Sequence, residues 1–229
     1  MKSQYLYLII ILLSIIFPFS ASFYSKAAFY KKWKYLIVAI LIPGIVFIVW
    51  DEIFTRMEIW GFNSEYLTGI FIGSLPLEEI LFFICVPYAC IFIYFTLNYL
   101  VEKDYLFPHQ ELISGGLIIV LLILGIYHID KAYTAMTFIL LSFFMTYLTL
   151  KVRVRYMGRF YVAFAIILIP FFIVNGLLTG SFIEGEVVWY NDKATLGLRL
   201  GTIPVEDVFY AMLVMLMNIS IYERLQESH

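Results

Sequence analysis

Seven runs of 16–24 mostly apolar residues divide this chain. A bilayer core about 30 Å thick is crossed by roughly 20 apolar residues in a helix. No water is available there to satisfy the backbone, so an isolated segment can cross only as a helix. The runs are Tyr5–Phe23, Tyr35–Phe54, Leu77–Leu100, Leu112–Tyr127, Ala132–Leu150, Phe160–Leu178 and Val205–Tyr222. Charged residues make up only 14% of the chain, against about a quarter in soluble domains. The implied fold is all-α: a polytopic membrane protein with about seven transmembrane helices and the lipid bilayer as its surroundings. A net charge of −2 gives no footprint for nucleic acid. Lys2 ahead of the first run, with Ser20-Ala21-Ser22 at its end, has the outline of a signal peptide. The duplication described next uses this run as a span.

Two short stretches repeat. Ser74-Leu75-Pro76-Leu77-Glu78-Glu79-Ile80 is answered about 128 residues later by Thr202-Ile203-Pro204-Val205-Glu206-Asp207-Val208. Each reads as loop, proline, two acids, then an apolar helix, with the proline at the first helical position, where a missing N–H costs nothing. Leu41-Ile42-Pro43 is matched by Leu168-Ile169-Pro170, and Trp60-Gly61-Phe62-Asn63 by Trp189-Tyr190-Asn191 with one residue of slippage. Spans one to three therefore pair with five to seven. The chain divides into a first unit (1–103), a linker with span four (104–131) and a second unit (132–229). Lys26, Lys31, Lys32 and Lys34 follow span one; Lys151, Arg153, Arg155 and Arg159 follow span five. Cytoplasmic loops carry such excesses. This puts the N-terminus outside and the C-terminus in the cytoplasm of a multi-pass cell-membrane protein. The two units are then parallel, about an axis along the membrane normal, with both acid pairs at one depth.

An acid at membrane depth is expensive, by at least ~2.5 kcal/mol, and marks function by default. A single acid in a first turn would read as a favourable partner of the helix dipole. Two doubled acids in matching places ask for more. Glu78 and Glu79 lie about 100° apart around a helix, so they cannot aim alike. Asp51 and Glu52, at the end of span two, stand close enough in sequence pattern to join them. Trp50, Trp60, Phe82, Phe83, Trp189, Tyr190, Phe209 and Tyr210 surround the motifs. Singly, such rings are ordinary interfacial or core residues; together they offer faces that stabilise a cation. A proton donor, a proton acceptor and π faces in an apolar cavity suit carbocation chemistry on an alkene.

Other chemistries lack their residues. Cys85 and Cys90 share one apolar run without metal-ligand spacing, and His109, His128 and His229 are scattered. No Gly-x-Gly-x-x-Gly follows a strand. No cofactor and no metal is expected. A proton-coupled transporter would also use intramembrane acids, but here the acids gather at one end of the spans. A prenyltransferase would need Asp-rich Mg²⁺ sites, for which Asp51-Glu52 with Glu58 is a poor substitute.

The doubled Pro-Leu-Glu-Glu-Ile-Leu-Phe-Phe and Ile-Pro-Val-Glu-Asp-Val-Phe-Tyr motifs, with the Trp/Asn loops before them, resemble the flavin-free integral-membrane lycopene cyclases, in the form that fuses two small subunits. The resemblance covers nearly the whole chain. It implies redox-neutral closure of the linear ψ end of lycopene or γ-carotene to a β-ionone ring. Glu78, Glu79, Glu206 and Asp207 are then the acid/base residues, with Glu78 and Glu79 favoured. Trp60, Asn63, Phe82, Phe83, Trp189, Tyr190, Asn191 and Tyr210 would surround substrate and cation. Asp51, Glu52, Arg56 and Arg199 would support them, the arginines by pairing with acids. A carotenoid substrate and association with other carotenoid enzymes follow as expected partners. The second unit departs from the first in having Asp207 for Glu79 and, near Asn175-Gly176, no clear counterpart of Asp51-Glu52.

Overall fold

The computed structural model describes residues 4–227, so Lys2 and His229 lie outside the described residues. Seven α-helices form one bundle: α1 (Leu6–Ala21), α2 (Trp33–Arg56), α3 (Leu77–Leu100), α4 (Gln110–Tyr127), α5 (Ala132–Thr146), α6 (Met157–Leu178) and α7 (Val205–Glu227). A π-helical stretch, Tyr147–Val152, prolongs α5. Six helical segments are long and apolar enough to cross a membrane, and α1 is a shorter apolar helix. The chain is an all-α polytopic membrane protein.

Helix packing follows a pattern. α1 packs on α3 as α5 packs on α7; α2 meets α7 as α6 meets α3; and α2–α3 contact is matched by α6–α7. Between lipid-bathed helices association comes from close packing rather than from expulsion of water. Accordingly Phe47, Trp50, Phe83, Ile91, Phe138, Leu141, Leu213 and Leu216 are buried together at the centre. Phe17, Ile45 and Ile169 point outward, each more than half exposed.

The loops before α3 and α7 are built alike. β2 (Phe71–Ile72) pairs with β3 (Leu75–Pro76), and β5 (Arg199–Leu200) with β6 (Ile203–Pro204), as two-residue hairpins. Gly73 and Gly201 head the two turns with φ of 66° and 68°, a conformation that L side chains avoid. The prolines close these hairpins and the helices begin one residue later, at Leu77 and Val205. This is a one-residue shift from the expected first-helical position. Their carbonyl-facing neighbours are held too: Leu77 N–H donates to Ile70 and Val205 N–H to Leu198.

β1 (Trp60–Phe62) and β4 (Val188–Tyr190) pair antiparallel with Trp60 opposite Tyr190, Gly61 opposite Trp189 and Phe62 opposite Val188. This ladder is extended by Asn63 N–H to Val187 and Asn191 N–H to Ile59. The pairing turns on Gly61 and Trp189, so Asn63 answers Asn191 and Phe62 answers Tyr190 without a slipped residue. The expected one-residue slip came from matching tryptophan to tryptophan. In space Gly61 is the partner of Trp189, because a Cβ at Gly61 would lie 2.4 Å from the Trp189 indole.

Candidate functional site

The doubled acids sit in the first turns of α3 and α7, under the β1–β4 ladder. Within each pair the two carboxyls turn to different partners, as their angular separation requires. Glu78 and Glu206 hold their own loops. Glu78 Oε1 accepts from the Thr68 N–H at 2.7 Å, and Glu206 Oε1 from the Leu196 N–H at 2.6 Å. Thr134 in α5 adds a hydroxyl donor to Glu206 at 2.5 Å. Both residues are fully buried, and each leaves its Oε2 without a hydrogen-bond partner.

Glu79 and Asp207 face the bundle interior. Tyr7 in α1 donates to Glu79 Oε2 at 2.5 Å, and Tyr133 in α5 donates to Asp207 Oδ1 at 2.7 Å. Beyond that shared phenol the surroundings diverge. Asp207 Oδ2 accepts a second phenol, Tyr190, at 3.0 Å. Glu79 instead has the buried carboxyl of Asp51 beside it. Asp51 also accepts from Tyr210 at 2.9 Å. Asp207 has two O–H donors directed at it.

Rings fill the space between these acids. Trp60 lies 5.1 Å from Tyr133, 6.1 Å from Tyr190 and 6.2 Å from Tyr210. Tyr133 stacks on Tyr190 at 6.0 Å, and Trp50 meets Tyr210 edge-on at 5.7 Å. Phe47 joins Trp50, Phe83 and Tyr210, and Phe54 joins Trp50 and Trp60. Edge and face contacts at such distances fix ring positions. Burial, and then the Asp207 carboxylate beside it, pushes the Tyr190 phenol well above its usual value, so it stays a donor.

Of the residues picked out in the sequence, Glu79, Asp207, Asp51, Trp60, Phe83, Tyr190 and Tyr210 come together here. Phe82 touches Phe83 edge-on at the margin, and Phe209 packs against Phe138. Trp189 covers Gly61. Asn63 and Asn191 shape turns by accepting from Glu65 N–H and Lys193 N–H. Glu52 leaves the site altogether and accepts from the Ser74 N–H at 2.8 Å. The arginines do not reach the acid pairs: Arg56 bridges to Glu52 at 2.6 Å and Arg199 to Asp192 at 2.8 Å. Arg56 ends α2 and Arg199 begins β5, both at the surface. The counterpart of Asp51-Glu52 is Leu178-Thr179 rather than the stretch near Asn175-Gly176. Glu52 meets Ser74, and Thr179 meets Thr202 by a 2.7 Å hydroxyl contact.

Tyr7, Tyr133 and Thr134 were not foreseen. Their signal was present: Tyr7 and Tyr133 occupy matching places at the starts of the first helix of each unit. A lone tyrosine at the end of an apolar run reads as an interfacial residue, and that reading hid the match.

The sequence profile of the lycopene cyclase family matches residues 4–97 and 130–225. No curated protein and no solved structure matches the chain. The matched segments cover most of the sequence and carry α1–α3 and α5–α7 with both acid pairs. The chain belongs to the lycopene cyclase family.

Proposed function

We propose that this protein closes the linear ψ end of lycopene or γ-carotene to a β-ionone ring by proton transfer alone, in carotenoid biosynthesis. Glu79 gives a proton to the terminal carbon–carbon double bond, leaving a tertiary cation. The π electrons of the double bond five carbons further in form the new ring bond, and the positive charge moves into the ring. Asp207 removes a ring proton and the last double bond forms. One proton enters and one leaves, so substrate and product are isomers and no oxidant or reductant is consumed. The rings of Trp60, Tyr190, Tyr210 and Trp50 shelter the cation and exclude the water that would quench it. Glu78 and Glu206 act on structure, by holding the loops that roof the cage.

The observation that carries this reading is the contrast in partners between two buried acids across one group of rings. Glu79 accepts one phenol and has the carboxyl of Asp51 beside it, and Asp207 is held by two phenol donors. An acid and a base kept apart in protonation by their surroundings make an acid/base pair. The division into units 1–103 and 132–229 joined by 104–131 accords with contacts that recur at matching positions in both. The basic loops favour an outer N-terminus and a cytoplasmic C-terminus, which would place the cage at the outer leaflet. Expression in cells that accumulate lycopene tests the function. Cyclised pigments are expected, and unchanged lycopene beside confirmed membrane insertion would overturn it.

A further inference from the structure

At the end of the bundle opposite the doubled acids, α3, α6 and α7 enclose a cavity of about 300 Å³. Tyr94 and Asn98 line it from the end of α3. Arg155 and Arg159 line it from the approach to α6 and its first turn, and Glu223 and Glu227 from the end of α7. These charges stand at the wrong ends of their helices. A helix N-terminus disfavours cations and a C-terminus disfavours anions. The two glutamates are also one turn apart on α7, where like charges repel.

Pairing across the cavity would relieve this strain. Yet among the described residues neither arginine forms an ion pair with either glutamate. Arg159 is held instead by neutral acceptors, the Asn98 side chain at 3.2 Å and the Glu102 carbonyl at 2.9 Å. Its guanidinium is thereby fixed at the cavity wall without being neutralised. Glu223 Oε1 accepts from the Tyr94 hydroxyl at 2.7 Å. A smaller cavity of about 40 Å³ shares Asn98 and Arg159 with the first and adds the apolar side chains of Leu97, Val101 and Val162 to its wall. A charged chamber thus opens beside an apolar slot, which is the outline of an amphiphile.

We propose that this cavity binds the phosphoethanolamine headgroup of a membrane lipid. The phosphate lies against Arg155 and Arg159 at the α6 N-terminus, and the ammonium against Glu223 and Glu227 at the α7 C-terminus. An acyl chain leaves past Val101 and Val162. Each end of the zwitterion then meets side chains of opposite charge and a helix dipole that favours it. A purely anionic headgroup would answer the arginines and leave the glutamates in mutual repulsion. A quaternary ammonium has no N–H to give the carboxylates, whereas a primary ammonium has three. The site is remote from the acid pairs and does not depend on the ring-closing reaction.

Native mass spectrometry tests this on the purified full-length protein, stripped of lipid in detergent micelles. Phosphatidylethanolamine, phosphatidylglycerol and phosphatidylcholine with the same acyl chains are titrated in turn. Phosphatidylethanolamine should bind about tenfold more tightly than either of the others, the scale of one hydrogen bond between charged groups. Arg155 and Glu227 are exposed, so substitution there spares the fold. Glu227→Gln should abolish the preference for the ethanolamine headgroup over the glycerol one. Arg155→Gln should weaken all three lipids by about tenfold. Free phosphoethanolamine should compete only at about 100-fold higher concentration, the scale of three or four buried CH₂ groups. Competition at equal concentration would assign the cavity to a soluble phosphoamine and overturn the lipid. Equal binding of the three lipids to the wild type, or binding unchanged in either variant, would overturn the proposal as a whole.

Discussion

Glu79 and Asp207 stand at matching places in matching helices, and each accepts a phenol from the first helix of its own unit. Their second partners differ. Glu79 has the carboxyl of Asp51 beside it, and Asp207 meets the hydroxyl of Tyr190. Tyr190 in turn occupies the place that Phe62 holds on the paired strand. The acid motifs have changed little between the two halves; the residues around them have changed a great deal. Function in such a duplicated frame is assigned by the neighbours of a carboxyl rather than by the carboxyl itself, because proton status follows the donors and acceptors within reach.

The difference between these two acid sites, the corners of the cage, can be broken in steps of decreasing size. Glu79→Gln removes the proposed proton donor, and ring closure measured by pigment chromatography should fall about 10²–10⁴-fold, with insertion unchanged. Asp207→Asn removes the acceptor and should fall over a similar range of about 10²–10⁴-fold. Full activity in the first variant would pass the donor role to another carboxyl. Tyr190→Phe takes one donor from Asp207 and makes the corners more alike. A hydrogen bond to a charged group is worth about 1.5–3 kcal/mol, so a rate loss of roughly 10–100-fold is expected from that range. An unchanged rate would mean that the second phenol does not set the state of Asp207. Gly61→Ala acts on the roof common to both corners. Its Cβ would meet the Trp189 indole at 2.4 Å, and overpacking of this kind costs about 1–3 kcal/mol. Thermal unfolding should report that loss, with wild-type activity retained well below the melting point. Glu52→Gln should be the mildest change, with ring closure within about threefold, since exposed ion pairs contribute about 0–1 kcal/mol and this side chain faces Arg56 and Ser74.

Much of the architecture could be read in advance. Apolar runs of spanning length located all seven helices, with ends displaced by a few residues, because a helix in lipid must carry its apolar surface in one continuous stretch. The doubled motif marked where buried acids and aromatic rings gather, since acids are costly at that depth. What the sequence withheld were partnerships between distant residues. Nothing local to Glu79 names Tyr7, 72 positions away, or says that Asp51 rather than Glu52 turns inward. Helical geometry separates Asp51 from Glu52 by about 100°, but which of them faces the bundle depends on how α2 sits against α7. Arg56 and Arg199 do pair with acids, but with Glu52 and Asp192 rather than with the doubled acids. Tyr133 matches Tyr7 by its place as the second residue of the first helix of its unit.

The central claim is proton transfer from an exchangeable carboxyl without redox chemistry. Its most direct test is cyclisation of lycopene by the purified protein in heavy water, with no reductant added and the product analysed by mass spectrometry. One deuterium per ring formed is expected for the wild type, with no ring formed by Glu79→Gln. A cyclised product that carries no deuterium would contradict the account.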